Sequence, residues 1–164
     1  MKKTLMTSLF VALLGAAVPA LALRVAMVDI KEAFDKYQGT TAAKDKLKKQ
    51  AESAKAKLEK DQDKLKKKME DLQAQKKALA ESKYAEREQA VMGEVRQLKS
   101  EIDSVQNDLS SQEQKMTEQL LKEIREVVQK VADREKYDFV FEKSTLLFGG
   151  TEITASVLKE LNSK

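Results

Sequence analysis

Residues 51–79 read AESAKAKLEKDQDKLKKKMEDLQAQKKAL, and their spacing decides the fold. Apolar residues recur at every seventh position, at Ala51, Leu58, Leu65, Leu72 and Leu79. A spacing of seven places these side chains in one narrow stripe on a helix, as in the seam of a coiled coil. The stretch therefore predicts a long helix that packs against a second helix.

The other half of the same seam is weaker. It starts with apolar residues and becomes polar, at Leu47, Ala54, Asp61, Lys68 and Gln75. Polar side chains in a seam weaken the packing between helices. We therefore expect the packing to loosen toward the far end of this arm, unless Met69 shifts the register.

Residues 91–131 carry a fuller heptad pattern. Spacings of four and three alternate along Val91, Val95, Leu98, Ile102, Val105, Leu109, Gln112 and Met116. The stripe then continues with an extra spacing of four at Leu120, Ile124, Val127 and Val131. Such a stutter locally unwinds a coiled coil. The pattern predicts a second long helix, with a change of phase after Met116.

The chain is expected to reverse at residues 80–83, between the two stripes. Ser82 is a good N-cap residue, and Glu86 and Glu88 suit the first turns of a following helix. One uninterrupted rod is the alternative, because no Gly or Pro interrupts this stretch. We favour a hairpin, because each stripe can then bury itself against the other. Each arm would extend roughly 60 Å at 1.5 Å per residue.

The two ends of the chain predict strands. Residues 24–30 form a compact apolar run, and residues 137–142 alternate aromatic and β-branched residues with acids. Residues 146–148 predict a third short strand that ends at the turn signal Gly149-Gly150. Thr154 is expected to cap a last helix that runs through Leu161, with Ile153 and Leu158 forming a hydrophobic staple.

These elements predict an α+β, mainly α, fold in which a long antiparallel helical hairpin is inserted in a small β-containing oligomerisation body. The hairpin arm would comprise residues 40–135, and the body residues 23–39 and 136–164. A body of this size is near the limit for a stable core, so we expect several chains to share one core. The predicted body residues are Val25, Met27, Val28, Phe34, Phe139, Phe141, Ile153, Leu158 and Leu161.

Residues 1–22 read as a cleaved signal peptide. Lys2 and Lys3 precede a run of almost wholly apolar residues, and Ala20-Leu21-Ala22 supplies an A-x-A cleavage signal. A membrane anchor is the alternative, but the apolar run is shorter than the roughly 20 residues that a bilayer span needs. We therefore expect export and a mature chain that begins at Leu23, without stable insertion in a membrane.

The chain contains no histidine and no cysteine, which argues against an enzyme. The commonest zinc ligands, the thiol nucleophile and the histidine base are all missing. Carboxylate pairs such as Glu86 with Glu88 lie on helices predicted to be exposed, without a dry pocket to shift their pKa values. We expect no enzymatic activity, no metal and no cofactor.

The charges of the two arms differ in sign. Residues 41–83 hold 14 Lys and 8 acidic residues, a balance of +6, whereas residues 84–135 hold 8 basic and 12 acidic residues, a balance of −4. Pairing between the arms explains most of this difference. A second interpretation is a basic surface near the far end, with two methionines as adaptable apolar contacts. Its predicted residues are Lys60, Lys64, Lys66, Lys67, Lys68, Met69, Lys76, Lys77 and Met92.

The two ends of the chain resemble those of the Skp/OmpH family of periplasmic chaperones. The resemblance lies in residues 24–30 (RVAMVDI), Phe34, residues 137–141 (YDFVF) and residues 153–161 (ITASVLKEL). The order of signal peptide, strand, two long charged helices and strand-strand-helix ending also matches, so the resemblance covers the whole chain. It implies a homotrimer with a β-barrel-like body and tentacle-like helical arms around a cavity.

The resemblance further implies an ATP-independent periplasmic holdase that binds unfolded outer-membrane proteins, with at most transient contact with a membrane surface. A basic lipopolysaccharide-binding cluster of some family members is not carried over, because residues 106–113 contain no basic residue. The alternative is a structural or adaptor coiled-coil protein of the periplasm without chaperone activity. Nucleic-acid binding is not expected, because the mature net charge is only +2 without Lys2 and Lys3 and aromatic residues do not alternate with the lysines.

Overall fold

The computed structural model describes residues 23–163 and shows a long helical hairpin on a small mixed body. The body starts with strand β1 (Val25–Val28) and helix α1 (Ile30–Lys36). The hairpin consists of α2 (Gln38–Ala74) and α3 (Glu81–Glu135). Strands β2 (Phe139–Glu142) and β3 (Thr151–Glu152) and helix α4 (Thr154–Leu161) complete the body. The predicted mainly helical α+β class is confirmed, and the predicted signal peptide, residues 1–22, lies outside the described residues.

The hairpin is confirmed and the uninterrupted rod is wrong. Helices α2 and α3 pack along each other and are bridged by ion pairs between Lys57 and Glu101 at 2.6 Å and between Lys68 and Glu94 at 2.7 Å. Between them the chain reverses through a 3₁₀ turn (Gln75–Lys77), in which the amide of Ala78 donates to the carbonyl of Gln75 at 3.0 Å.

The cap predicted for α3 is wrong. Helix α3 has Ala80 at its N-cap, with an extended backbone (ψ 143°) and no side-chain hydrogen bond, and Ser82 already lies in its first turn. The 3₁₀ turn completes the reversal before Ser82 is reached, so the hydroxyl of Ser82 is not at the position of a cap.

The sheet has the order β2-β1-β3 and both pairings are parallel. The first predicted strand is shorter than expected, because the Asp29 carboxylate accepts a hydrogen bond from the Glu32 amide at 2.8 Å and caps α1, so Ile30 is helical. The strand predicted at residues 146–148 is wrong. Leu147 and Phe148 are fully exposed, and β3 forms after the turn in which Gly149 and Gly150 adopt φ values of 89° and 86°.

Helix α4 ends at Leu161 as predicted, but Thr154 does not cap it. The N-cap residue is Ile153, which has no capping side chain, and Thr154 is the first helical residue. The Thr154 hydroxyl instead accepts a hydrogen bond from the Asp29 amide at 2.9 Å. This contact joins the start of α4 to the end of β1.

The core lies where the sheet, α4 and the last turns of α3 meet. Its buried members are Ala26, Val28, Ala33, Ile124, Val127, Val131, Ile153, Val157 and Leu161. The residues predicted for the body therefore fall into two groups. Val28, Ile153 and Leu161 are buried in this core, whereas others lie on the opposite face of the sheet. Within the described range no helix is both long enough and apolar enough to cross a bilayer.

The ring of Tyr37 packs over Gly39 at the start of α2. A methyl group on Gly39 would overlap Cζ and the hydroxyl of that ring. The hydroxyl donates a hydrogen bond to the Glu123 carboxylate of α3 at 3.2 Å. Burial and the nearby Glu123 carboxylate raise the pKa of Tyr37. Glycine at position 39 thus allows α2 to be joined to α3 at the base of the hairpin.

Two glycine substitutions test this packing. Gly93→Ala is expected to raise the free energy of unfolding by about 0.5–1 kcal/mol, because alanine favours a helix and its methyl group meets no atom within 4 Å there. Gly39→Ala is expected to be less stable than Gly93→Ala, because the Tyr37 ring must leave Glu123. Urea unfolding followed by circular dichroism at one protein concentration measures the free energy of unfolding of both variants. An equal increase for Gly39→Ala and Gly93→Ala would contradict the packing of Tyr37 over Gly39.

Candidate functional site

The predicted loosening of the seam toward the tip stays a prediction, because Leu47 and Leu58 on the body side of Leu65 are half-buried as well. Leu65 is 8% exposed, whereas Leu72 and Leu79 beyond it are only half-buried. On the second half of the seam, Lys68 and Gln75 are exposed. Across the tip, from residue 66 to residue 90, no residue is buried.

The two predicted methionines lie together near the tip. Met69 of α2 and Met92 of α3 are 48% and 46% exposed. They line one cleft of about 250 Å³ with the half-buried Leu72, Tyr84 and Val91. We call this feature the tip cleft, defined by Met69, Leu72, Tyr84, Val91 and Met92. It offers exposed, polarizable apolar surface on a long arm.

Tyr84 of the tip cleft was missed by the sequence reasoning. Lys76, which also lines the cleft, has its Nζ 5.8 Å from the centre of the Tyr84 ring, a cation–π geometry. The signal was present, because Tyr84 stands seven residues before Val91 and therefore continues the stripe of α3. It was missed because the stripe was started at Val91.

The predicted basic surface is only partly free. Lys64 pairs with Asp61 at 2.7 Å and lowers the pKa of that carboxyl, and Lys68 contacts both carboxylate oxygens of Glu94. Within residues 23–163, Lys60, Lys66, Lys67 and Lys77 are exposed and form no ion pair. Of the predicted lysines, only Lys76 lines the tip cleft.

One face of the sheet carries apolar side chains on β1 and β2, and Glu152 of β3 lies at its edge beside Met27. Val25 of β1 pairs with Phe139 of β2, and Met27 pairs with Phe141, so these side chains share a face. Phe139 and Phe141 are 51% and 43% exposed, with ring centroids 6.3 Å apart. The intervening Ala26 points to the buried core. We call Val25, Met27, Phe139 and Phe141 the open sheet face.

The remaining predicted body residues, Phe34 and Leu158, are half-buried. Phe34 packs against the core, and Lys44 of α2 lies 5.3 Å above its ring. In the described part of the chain, no cluster of three or more acidic side chains is arranged to hold a metal ion.

Comparison with known families supports the same architecture. The sequence model of the family described as Outer membrane protein (OmpH-like) matches residues 24–161. The chain belongs to the OmpH-like family. The match includes both arms and nearly all of the body, so the resemblance found at the two ends is confirmed.

A solved structure shares the fold of this OmpH-like chain. It is the crystal structure of a protein from Caulobacter crescentus that is described as a proposed outer membrane chaperone (OmpH-like). The TM-score is 0.79 at 18% sequence identity, and the match covers 87% of this chain and 86% of the other. No curated protein matches the sequence.

Truncation of two seam leucines tests the difference in their burial along the OmpH-like arm. Leu65→Ala is expected to cost about 2–3 kcal/mol, because Leu65 is buried and truncation of a buried leucine costs at least this much. Leu72→Ala, the matched control nearer the tip, is expected to cost clearly less. Hydrogen exchange of the arm amides and urea unfolding measure the two losses of stability, and a larger loss for Leu72→Ala would contradict the difference in burial between the two leucines.

Proposed function

We propose that this protein is an ATP-independent holdase chaperone of the bacterial periplasm. It binds unfolded outer-membrane proteins in a cavity between helical arms and prevents their aggregation before they insert in the membrane. The observation that carries the proposal is the tip cleft, in which two methionines are about half exposed beside the half-buried Tyr84 near the tip of the arm. Membership of the OmpH-like family and the fold shared with a proposed outer membrane chaperone support it.

The tip cleft suits a partner without fixed shape. Methionine side chains are unbranched and polarizable, so they adapt to many apolar surfaces. Adaptable surfaces of this kind bind many partners weakly rather than one partner tightly. An unfolded outer-membrane protein is such a partner, because it exposes apolar side chains along an extended chain.

Free lysines supply the second part of the proposed interaction. Lys60, Lys67 and Lys77 form no ion pair among residues 23–163, and Lys76 lies at the tip cleft. Their charge attracts acidic stretches of a partner without reading its sequence. Lys64 and Lys68 are neutralised by Asp61 and Glu94, so their contribution is smaller than the sequence alone suggests. Salt should weaken this part of the binding.

We further propose that the protein is a homotrimer joined through the open sheet face. Four apolar side chains on one face of a three-stranded sheet favour a partner that covers them. A second and third copy supply the same surface, and the small body gains the core that it lacks alone. The number three is the one that the resemblance to the Skp/OmpH family implies.

The location in the periplasm is proposed from residues 1–22, which read as a signal peptide. We propose no enzymatic activity and no cofactor, because the chain lacks histidine and cysteine. A structural or adaptor coiled coil is the alternative. It would bind one partner or none and would not suppress aggregation.

The first test is aggregation of a urea-unfolded outer-membrane β-barrel protein upon dilution, without ATP. The mature chain is expected to keep it soluble, and the double variant Met69→Gln/Met92→Gln is expected to do so less well. Ala42→Gln/Ala56→Gln is the matched control, because both alanines are exposed on α2 away from the tip cleft. Suppression that high salt does not weaken would remove the lysines from the mechanism, and no suppression at all would favour the structural alternative.

The second test concerns assembly. Phe141→Glu is expected to convert the trimer to smaller species, because it places a charge on the open sheet face. Ala155→Glu adds the same charge at an exposed position of α4 and should leave the assembly intact. Light scattering gives the mass, and circular dichroism shows whether the helices persist. A trimeric Phe141→Glu variant would overturn the proposed interface.

A further inference from the structure

Helix α2, the first helix of the arm, starts without a cap of its own. The first amides of a helix have no partner within the helix and need acceptors from outside. Tyr37 occupies the N-cap position of α2 but makes no capping hydrogen bond with its side chain. The first turn of α2 also lacks an acidic residue. The 37-residue helix therefore depends on another element at its first residue.

The missing acceptor comes from the far end of the chain. The amide of Gln38, the first residue of α2, donates to Oδ1 of Asn162 at 2.9 Å, across 124 positions of sequence. Asn162 is itself the C-cap of α4, and its amide donates to the carbonyl of Leu158 at 3.0 Å. Asparagine is among the best N-cap residues. Here it caps α2 from a different helix.

The same end of α4 also holds the last turns of α3. Glu160 forms ion pairs with Lys130 and with Arg134, the latter at 2.8 Å. Lys130 and Arg134 lie four residues apart and thus on one face of α3. Both cations lower the pKa of the Glu160 carboxyl below its usual range. Only 20% of the Glu160 side chain is exposed.

Helix α4 is itself fixed to the body. Val157 and Leu161 are 0% and 2% exposed in the core, and the Thr154 hydroxyl holds the end of β1. One short helix thus contacts the sheet on one side and the roots of both arm helices on the other.

Above this contact, Tyr37 and Glu123 join the start of α2 to α3, but a cleft remains in the seam beside them. The cleft has a volume of about 440 Å³, and its lining includes Gly39 and Leu47 of α2 and Met116 and Leu120 of α3. The cleft coincides with the change of heptad phase after Met116. Because the seam is open there, the packing of α2 on α3 alone does not determine where α2 starts, while α3 itself continues into the body core through Ile124, Val127 and Val131.

We propose that Asn162 and Glu160 are positioning residues that set the direction of the arm relative to the body. We call this pair the α4 anchor. Loss of the anchor widens the range of arm directions while the core residues of α4 and the open sheet face remain in place. The effect on the arm is independent of the proposed function, whereas the expected loss of client binding rests on it. A cavity with less well-ordered walls loses more conformational entropy when it closes on a partner.

Spin labels can measure the arm direction, because the chain has no cysteine of its own. We would introduce Ala56→Cys on α2 and Ser144→Cys on the body, both at exposed positions. Ala56 lies about 27 Å along α2 from Gln38 at 1.5 Å per residue. Labelled chains would be diluted into an excess of unlabelled chains, so that double electron–electron resonance reports the distance between the two labels within one chain.

Asn162→Ala/Glu160→Ala is expected to broaden the distance distribution at unchanged assembly mass. Asn162→Ala alone is expected to raise the hydrogen-exchange rate of the Gln38 amide about fivefold. This factor corresponds to the stability that is lost when an N-cap is removed. Asn162→Asp should restore slow exchange, because a carboxylate is an equally good acceptor there. Ser163→Ala is the matched control, since within residues 23–163 the Ser163 hydroxyl bonds only to the carbonyl of Glu160.

An unchanged distance distribution in the double variant would overturn the proposal, and so would an altered mass, which would make α4 an assembly element. If Asn162→Asp did not restore slow exchange of the Gln38 amide, that result would also contradict the capping role. The aggregation assay separates this inference from the proposed function. A wild-type chain that suppresses no aggregation removes the holdase but leaves the arm distances as a test of the anchor.

Discussion

The parallel pairing of β1 with β2 is the constraint on which the rest of the structure depends. Parallel neighbours need a connection that returns the chain to the end where the first strand began. Here that connection is the whole hairpin, and the carboxylate of Asp138 accepts a hydrogen bond from the amide of Arg24, 114 residues earlier. Because both ends of the hairpin meet at the sheet, α2 must lead away from the body and α3 must lead back.

The apolar surface is distributed unevenly as a result. It is buried where the hairpin meets the body, with Ile124 and Val131 fully enclosed, and it is exposed at the tip cleft and on the open sheet face. A small body cannot cover both sides of its sheet from its own chain. The proposed trimer covers one uncovered surface, and the proposed binding of unfolded proteins uses the other.

The candidate site was partly accessible from the sequence. The residue type of Met69 and Met92 and their place in the far half of the arms predict an apolar contact surface. The structure brings both residues to one cleft. Tyr84 could have been found by extending the stripe of α3 by one heptad. The pairing of Lys68 with Glu94 could not be predicted, because it depends on how far α2 and α3 are shifted along each other.

The sequence by itself determined the elements that are specified by local periodicity. The heptad of leucines predicts α2, the stripe from Val91 to Val131 predicts α3, and the alternation around Phe139 predicts β2. Only the tertiary structure decided which short segment joins the sheet, which residue caps which helix, and which side of β1 stays open. Thr151 rather than Leu147 pairs with β1, and Asn162 rather than a neighbour caps α2. The physical reason is that these contacts join residues more than a hundred positions apart, so a periodic pattern within either segment does not reveal them.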